Sequence, residues 1–440
     1  MSPHRGQTAT PLRILDTRLH ADPSRVVLRP FHLGWQSAAT PGDRARRLVA
    51  DVAALTEEET DAEYDRVVHD FAERHWQTEA MFDRRYEDVE RGLGLEQAGF
   101  SITRKRLIGA YFCHEYTYAA AALMNPSIVP HPDQSGVGRG GCRFVMSLRA
   151  VGEGHISSVA FREGIANPDG SFDLWPESAF ATALELDDTL QACETGAVAV
   201  HRHPESSLSN SVIFPITEQQ RQGLEDLRLV RFDHAAPGAP PDYEWIGTYT
   251  AWNGASIRSE LLRTRDFRRF VLEPIEGRAG RNKGMALFPQ KVGGQYAMVG
   301  RQDGKNLFLL RSDDLAHWDD DGVLLMEPAF PWEFIQIGNC GSPILTDAGW
   351  LLITHGVGAM RKYALGAALL DRDDPSKVIG RTREPVLTAE DADRSGYVPN
   401  VVYTCGVLPV GEQLLIPYGI SDSAVGFAVV AIADLLALLV

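Results

Sequence analysis

The chain has 440 residues, 44% of them hydrophobic and 23% charged, ordinary values for a globular protein with one large domain or two to three smaller ones. Its formal net charge is −16, from 43 Lys and Arg against 59 Asp and Glu. That balance argues against a nucleic-acid binder and against attraction to anionic lipid, and a neutral or modestly charged small substrate fits it better.

The first 25 residues, MSPHRGQTATPLRILDTRLHADPSR, contain no apolar run of the secretory type, so a cytoplasmic location is expected. Between Asp43 and Gly92 glycine is absent and the pattern is helical. Thr56 and Glu59 have the spacing of a capping box, and Tyr64, Val67, Val68, Phe71 and Ala72 form one apolar stripe. The stretch AMFDRRYEDVERGLG extends the pattern and stops at glycine, as helices often do. Residues 1–115 are therefore predicted to be a largely helical N-terminal extension. It is expected to pack on the following domain or to support a homo-oligomer.

From about Asn125 the texture changes to short apolar strands separated by turn residues. YEWIGTYTAW, GGQYAMVGRQ, AGWLLITHGV and GEQLLIPYGI form a weak repeat, with Trp245, Tyr296, Trp350 and Leu414 spaced by 51, 54 and 64 positions. CRFVMSLRAVGEGHISSVAF supplies a fifth unit. Five units across residues 116–440 allow about 65 residues each, enough for four strands and long loops. The predicted fold is all-β, a five-bladed β-propeller over 116–440 preceded by the helical region. A pair of β-sandwiches would not need the repeat. The C-terminal run AVGFAVVAIADLLALLV is too short to span a bilayer and is interrupted by Asp434.

Several motifs carry less than they suggest. GVGRGG, Gly136 to Gly141, has dinucleotide-site spacing but leads into a strand, so the helix N-terminus that binds phosphate is missing. His201 and His203 in HRHPE lack an acidic partner at a recognised spacing, and no metal site is expected. The five cysteines are far apart and are read as reduced, mostly buried thiols.

GLEDLRLVRF is more informative, because a strand otherwise apolar enough to be buried carries Glu225, Asp226, Arg228 and Arg231. Regular alternation would put Asp226 and Arg228 on one face and Glu225 and Arg231 on the other. Adjacent carboxylates raise each other's pKa while a nearby arginine lowers it, one way to hold a general acid near working pH. Asn125, Arg149, Lys283, Arg301, Asp303 and Asp422 fall in other units at places that would converge on a central cleft. Glu153 and His155 are read as solvated turn residues. The convergent set describes a polar, mixed-charge pocket suited to a sugar, with no cofactor.

NPSIV, GLEDLRLVRF, YTAWNG, KGMALFPQKVGGQYAMVGRQDG, IGNCGSPILTDAGWLLITHGV, VPNVVYTCG and YGISDSAVGFA occur in order from Asn125 to Phe427. In this series the chain resembles glycoside hydrolase family 130, five-bladed propellers acting on β-mannosides. The resemblance implies an inverting enzyme with Asp226 as general acid, its proton relayed through a mannose hydroxyl. It also implies that Asn125, Lys283 and Asp422 line the sugar pocket and that Arg228 orients the acid or a hydroxyl. Family phosphorylases hold inorganic phosphate with basic residues, and Arg231 matches one of them. A second is expected after YTAWNG, where this chain has Ala255, with Arg258 the next arginine. Glu260 nearby offers a base, with Glu225 and Asp303 as lesser candidates. The expectation is thus an exo-acting inverting β-mannosidase hydrolysing β-1,2-linked mannosides. The alternative is a phosphorylase using inorganic phosphate, held by Arg231, Arg258 and Lys283, and releasing mannose 1-phosphate. A non-catalytic sugar-binding propeller is a third reading.

Overall fold

The computed structural model describes residues 11–31, 43–177, 179–187, 196–236 and 238–440. Cys193 and the first ten residues, on which two of the expectations above bear, lie outside that set. Among the described residues the chain is mostly β, and it divides into two compact units.

One unit is built on Pro23–Tyr118. Its four helices are α1 (Asp43–Ala53), α2 (Glu57–Phe71), α3 (Thr78–Leu93) and α4 (Ile102–Tyr111). Thr56 caps α2 reciprocally with Glu59, and α3 ends at Gly94 in the left-handed conformation. Tyr64, Phe82, Tyr86, Val89, Leu107, Ile108 and Phe112 form the core of the unit. α3 and α4 approach closely at Gly109, where a Cβ would stand 2.0 Å from the Phe82 carbonyl oxygen. Arg104 donates to the carbonyls of Val52, Ala53 and Leu55, satisfying the open end of α1. A short antiparallel pair, Val26–Pro30 with Cys113–Thr117, completes the unit.

The other unit consists of antiparallel meanders in chain order. The first contains Ala122–Pro130, Cys142–Val151 and Ser157–Ala166. Gly223–Asp233, Tyr243–Trp252, Ile257–Thr264 and Arg269–Pro274 form the second. A single parallel bridge, Gly223 to Ser157, joins these two meanders into one sheet. The third runs from Ala286–Leu287 through Tyr296–Gly300 and Leu307–Ser312 to Val323–Met326. Gly349–Val357 and Tyr363–Leu370 are central to the fourth, and Gln413–Ile420 and Ala424–Ala431 to the fifth. Trp245, Tyr296, Trp350 and Leu414 each fall on the second principal strand of their meander or on its counterpart, which is the origin of the repeat.

The strands are apolar on both faces because each sheet is covered on both sides. Leu229 of Gly223–Asp233 packs with Val145, Phe161, Trp245 and Leu262. Its neighbours Val230 and Phe232 pack on the other side with Met285, Met298, Leu310 and Trp318. Trp245 also donates its indole N–H to the Pro130 carbonyl at 2.7 Å, tying the second meander to the first.

The domain boundary differs from the expected 115/116. Arg13–His20, placed by sequence in the helical extension, pairs antiparallel with Ala424–Ala431 and belongs to the β unit. The reason is edge chemistry: the last strand of the fifth meander would otherwise expose a row of unpaired backbone groups.

Candidate active site

Two β-bulges build the site. In Gly223–Asp233 the pairing slips between Glu225 and Arg228, so Asp226 and Leu227 together oppose Tyr249. In Ala122–Pro130 the pairing slips between Met124 and Ser127. The extra residues take left-handed backbone angles, φ 57° at Asp226 and φ 49° at Asn125, and their side chains meet. The Asn125 amide donates to Asp226 Oδ1 at 2.5 Å. This bulge corrects the alternation assumed from sequence. Glu225 and Arg228 pair with Thr250 and Thr248, two residues apart on one strand, and therefore share a face.

Arg149 organises the carboxylates. It donates to Asp226 at 3.2 Å, to Glu225 at 2.6 Å and to the Ser157 hydroxyl at 2.9 Å. Arg228 is 3% exposed and donates to the Tyr403 hydroxyl, while its Nε has no partner. Lys283 and Arg301 complete the basic side. A Cβ at Gly284, where φ is +82°, would lie 3.2 Å from Arg301 and 3.7 Å from Arg228, so glycine there lets the two guanidiniums approach. Ser259 and Thr248 hold this loop by donating to the carbonyls of Asn282 and Met285.

The carboxyls titrate apart. Burial pushes Asp226 up, but the charges of Arg149, Arg228 and Lys283 outweigh it and hold the group below the ordinary aspartate range. Burial raises Glu225 against the opposing charge of Arg149. Asp422 is pushed up to about 6 by burial and by the Asp226 charge, with Arg149 and Arg361 opposing. His355, held far below its usual value by burial and by Arg301 and Arg228, meets the Tyr403 ring edge to face with centroids 4.8 Å apart.

Of the ten non-glycine residues with positive φ among the described residues, Asn125, His155, Asp226, Arg361, Ser421 and Asp422 are on this cluster or on loops that contact it. Tyr397, for example, shares a 3.3 Å hydrogen bond between its hydroxyl and His155 Nδ1, and its backbone N–H donates to the hydroxyl of Ser423, beside Asp422. Strained backbone of this kind persists only where surrounding structure enforces it, and it concentrates at functional sites. Unpartnered buried polar atoms gather here too: Asn125 Oδ1, Arg228 Nε and both side-chain polar atoms of Asn339.

Four expected residues are not brought to the cluster. Glu260 pairs across the sheet with Tyr249, the residue opposite the bulge, and so points to the other face from Arg228. It is 2% exposed and accepts from Gln220 at 2.7 Å, from Tyr249 at 2.5 Å and twice from Arg258. No lone pair is left in line with a water for the role of base. Arg258 is occupied by that same carboxylate. Arg231 lies on the face opposite Arg228 and stacks on Tyr243 at 4.2 Å. Asp303 closes its own turn, accepting from the backbone of Lys305 and Asn306 at 2.8 Å each. Sequence reasoning passed over Tyr403, His355, Arg361 and Asn339, although three of them stand inside the motifs VPNVVYTCG, LLITHGV and IGNCGSP.

His201, read as no ligand, is 3.4 Å from Glu185. No group of three or more His, Cys, Asp or Glu among the described residues could hold a metal ion. The four described cysteines are free, Cys340 and Cys405 buried and Cys113 and Cys142 half-buried.

The sequence model of glycoside hydrolase family 130, described as beta-1,4-mannooligosaccharide phosphorylase, matches residues 200–440. That span contains Asp226, Arg228, Lys283, Arg301 and Asp422, though not Asn125 or Arg149. The 1,2-beta-oligomannan phosphorylase of Thermoanaerobacter sp. (strain X514) is 34% identical over 237 residues, 52% of this chain and 75% of that protein. The beta-1,2-mannobiose phosphorylase of the same organism is 35% identical over 221 residues, 48% of this chain and 68% of that protein. Among solved structures, a glycosyl hydrolase from Bacteroides ovatus superposes with a TM-score of 0.50 at 21% identity, covering 72% of this chain and 85% of the other, which speaks to the fold alone. The chain belongs to glycoside hydrolase family 130.

Proposed function

We propose that the protein is a β-1,2-mannoside phosphorylase whose β unit is a five-bladed propeller, each meander forming one blade. The observation that carries the reading is the density of cations around Asp226: Arg149, Arg228 and Lys283 all act on its charge, and Arg301 adjoins Arg228. A phosphate dianion is best held by several fixed guanidinium and ammonium donors. The curated relatives named above are phosphorylases of β-1,2-mannosides.

This reading is preferred to the expectation of hydrolysis, whose expected base is engaged elsewhere. Glu260 is enclosed in its own network. Ala255, where an arginine was expected, is in an exposed turn closed by Asn253, and Arg228, Lys283 and Arg301 supply positive charge in its place.

In the proposed reaction Asp226 gives its proton, through a hydroxyl of the bound mannose, to the departing glycosidic oxygen. A phosphate oxygen attacks the anomeric carbon from the opposite side as the carbon–oxygen bond breaks, leaving mannose 1-phosphate of inverted configuration and a shortened sugar. The free cluster holds Asp226 ionised. Phosphate arriving beside Lys283 and Arg228 offsets their charge and raises the Asp226 pKa, so the acid is charged with its proton when the nucleophile is present. Asn125 fixes the carboxylate through its amide N–H and keeps Oδ1 for a sugar hydroxyl.

Hydrolysis remains the second reading because Asp422, with a pKa of about 6, is mostly ionised at neutral pH and could activate water. Product analysis on β-1,2-mannobiose decides between them. Mannose 1-phosphate formed only when phosphate is present is the expected result. Free mannose at equal rates with and without phosphate would overturn the proposal in favour of Asp422-assisted hydrolysis.

A further inference from the structure

A second cleft of about 600 Å³ opens at the far end of the first meander. Its residues His131, Arg143 and Glu163 each stand six positions along their strands from Asn125, Arg149 and Ser157, which is about 20 Å at strand rise. It is therefore remote from Asp226, and nothing in the proposed reaction uses it.

One wall is ion-paired. Arg143 donates to Glu163 at 3.0 Å and to Asp133 at 2.9 Å, and its guanidinium covers the Trp175 ring at 4.4 Å. Glu163, 5% exposed, also accepts from Ser209 at 3.3 Å. Burial keeps His131 below its usual pKa, so this imidazole is neutral near pH 7. These groups pair with one another, with only Arg143 Nε buried without a partner, and leave Trp175 half-buried on the cleft.

The opposite wall lacks ion pairs among the described residues. Arg202, from the HRHPE loop, and Arg268 are laced together by a 2.7 Å backbone bond from Arg202 N–H to the Arg268 carbonyl. Neither guanidinium has a carboxylate within 4 Å among the described residues. Arg202 donates only to the Ser206 carbonyl, and its Nε is buried without a partner. Asp266, also on the cleft, is committed to the backbone N–H groups of Arg268 and Arg269 at 2.8 and 3.1 Å. Two adjacent like charges, one of them partly desolvated, are costly unless an anion sits between them. An aromatic surface across the same cleft suits the C–H face of a pyranose, and Ser207 adds a hydroxyl to the lining.

We propose that this cleft is a second ligand site, taking a monosaccharide that carries a phosphate or carboxylate group between Arg202 and Arg268 with its ring against Trp175. The inference goes beyond the reaction and does not depend on it, because its test reads binding.

The full-length protein is titrated calorimetrically with mannose 6-phosphate, mannuronate, mannose and inorganic phosphate, and the titrations are repeated on Arg268→Glu and Trp175→Ala. Arg268 is exposed, so its variant should fold. In the component of binding that Arg268→Glu removes, one or both anionic sugars should bind at least tenfold more tightly than mannose or inorganic phosphate, and which of the two binds identifies the anion. Arg268→Glu should weaken that binding at least tenfold and Trp175→Ala at least fivefold, with the rate on β-1,2-mannobiose unchanged in Arg268→Glu. Binding indifferent to Arg268→Glu would place the ligand elsewhere and overturn the proposal. So would an Arg268-dependent component of inorganic phosphate binding as tight as that of the sugars, or no Arg268-dependent binding by any of the four compounds.

Discussion

The second meander carries two buried acid–base clusters on opposite faces of one sheet. Around Asp226 the backbone is bulged and left-handed, and polar atoms of Asn125 and Arg228 are left without partners. Around Glu260 the ladder is regular, and Gln220, Tyr249 and Arg258 use both carboxylate oxygens. Both clusters contain a carboxylate with arginine, so residue type does not distinguish them. What distinguishes them is closure: a network that satisfies itself holds the sheet together, whereas one that stays open has capacity for a substrate.

Substitutions should break the two clusters in opposite ways. The largest effect is expected from Asp226→Asn, which removes the proton donor and should cut turnover of β-1,2-mannobiose about 10³-fold. Its thermal midpoint should move by only a few degrees; an inactive variant that is also unfolded would make Asp226 a structural residue. Glu260→Ala should do the reverse. Leaving Arg258 and Tyr249 without their acceptor should cost about 2–4 kcal/mol in urea titration while kcat stays within a few fold. A kcat loss as large as that of Asp226→Asn would return Glu260 to the reaction.

A finer distinction comes from pH. The folded Asp422 carboxyl takes up its proton near pH 6, and an unfolded aspartate does so near pH 4. The folded state therefore binds the proton more tightly, and stability falls as pH rises through that window. Asp422→Asn should flatten the dependence between about pH 4 and 6 and raise stability at pH 7 by about 1 kcal/mol, a value discounted for solvent screening. A variant whose stability curve overlays the parent would show that the native group is not perturbed. The smallest effect belongs to Arg231→Ala, which loses only the stacking on Tyr243: less than about 1 kcal/mol and no change in the KM for phosphate.

The helical and β regions were unequally legible. Capping at Thr56 and Glu59 and termination at Gly94 were readable because helix ends are decided within four residues of chain. Arg13–His20 was not readable as part of the β unit, because its partner is more than 400 residues away and edge pairing leaves no local mark. In the site, Asp226, Arg228, Asn125 and Arg149 could be picked out as charged or polar residues in apolar strands. The positions of Glu260 and Arg231 could not, since a single bulge between Glu225 and Arg228 changes which residues share a face.

The sequence by itself determined the strand repeat, the capped helices, the family motifs and the supply of acids and bases, all of which depend on residue type and short-range spacing. Tertiary structure alone decided which charges meet. Bulges, a glycine at position 284 and strands hundreds of residues apart put Arg149, Arg228, Lys283 and Arg301 around Asp226 and turned Glu260 away. Electrostatic interaction depends on distance and burial in the folded molecule, and neither is a property of the chain read in order.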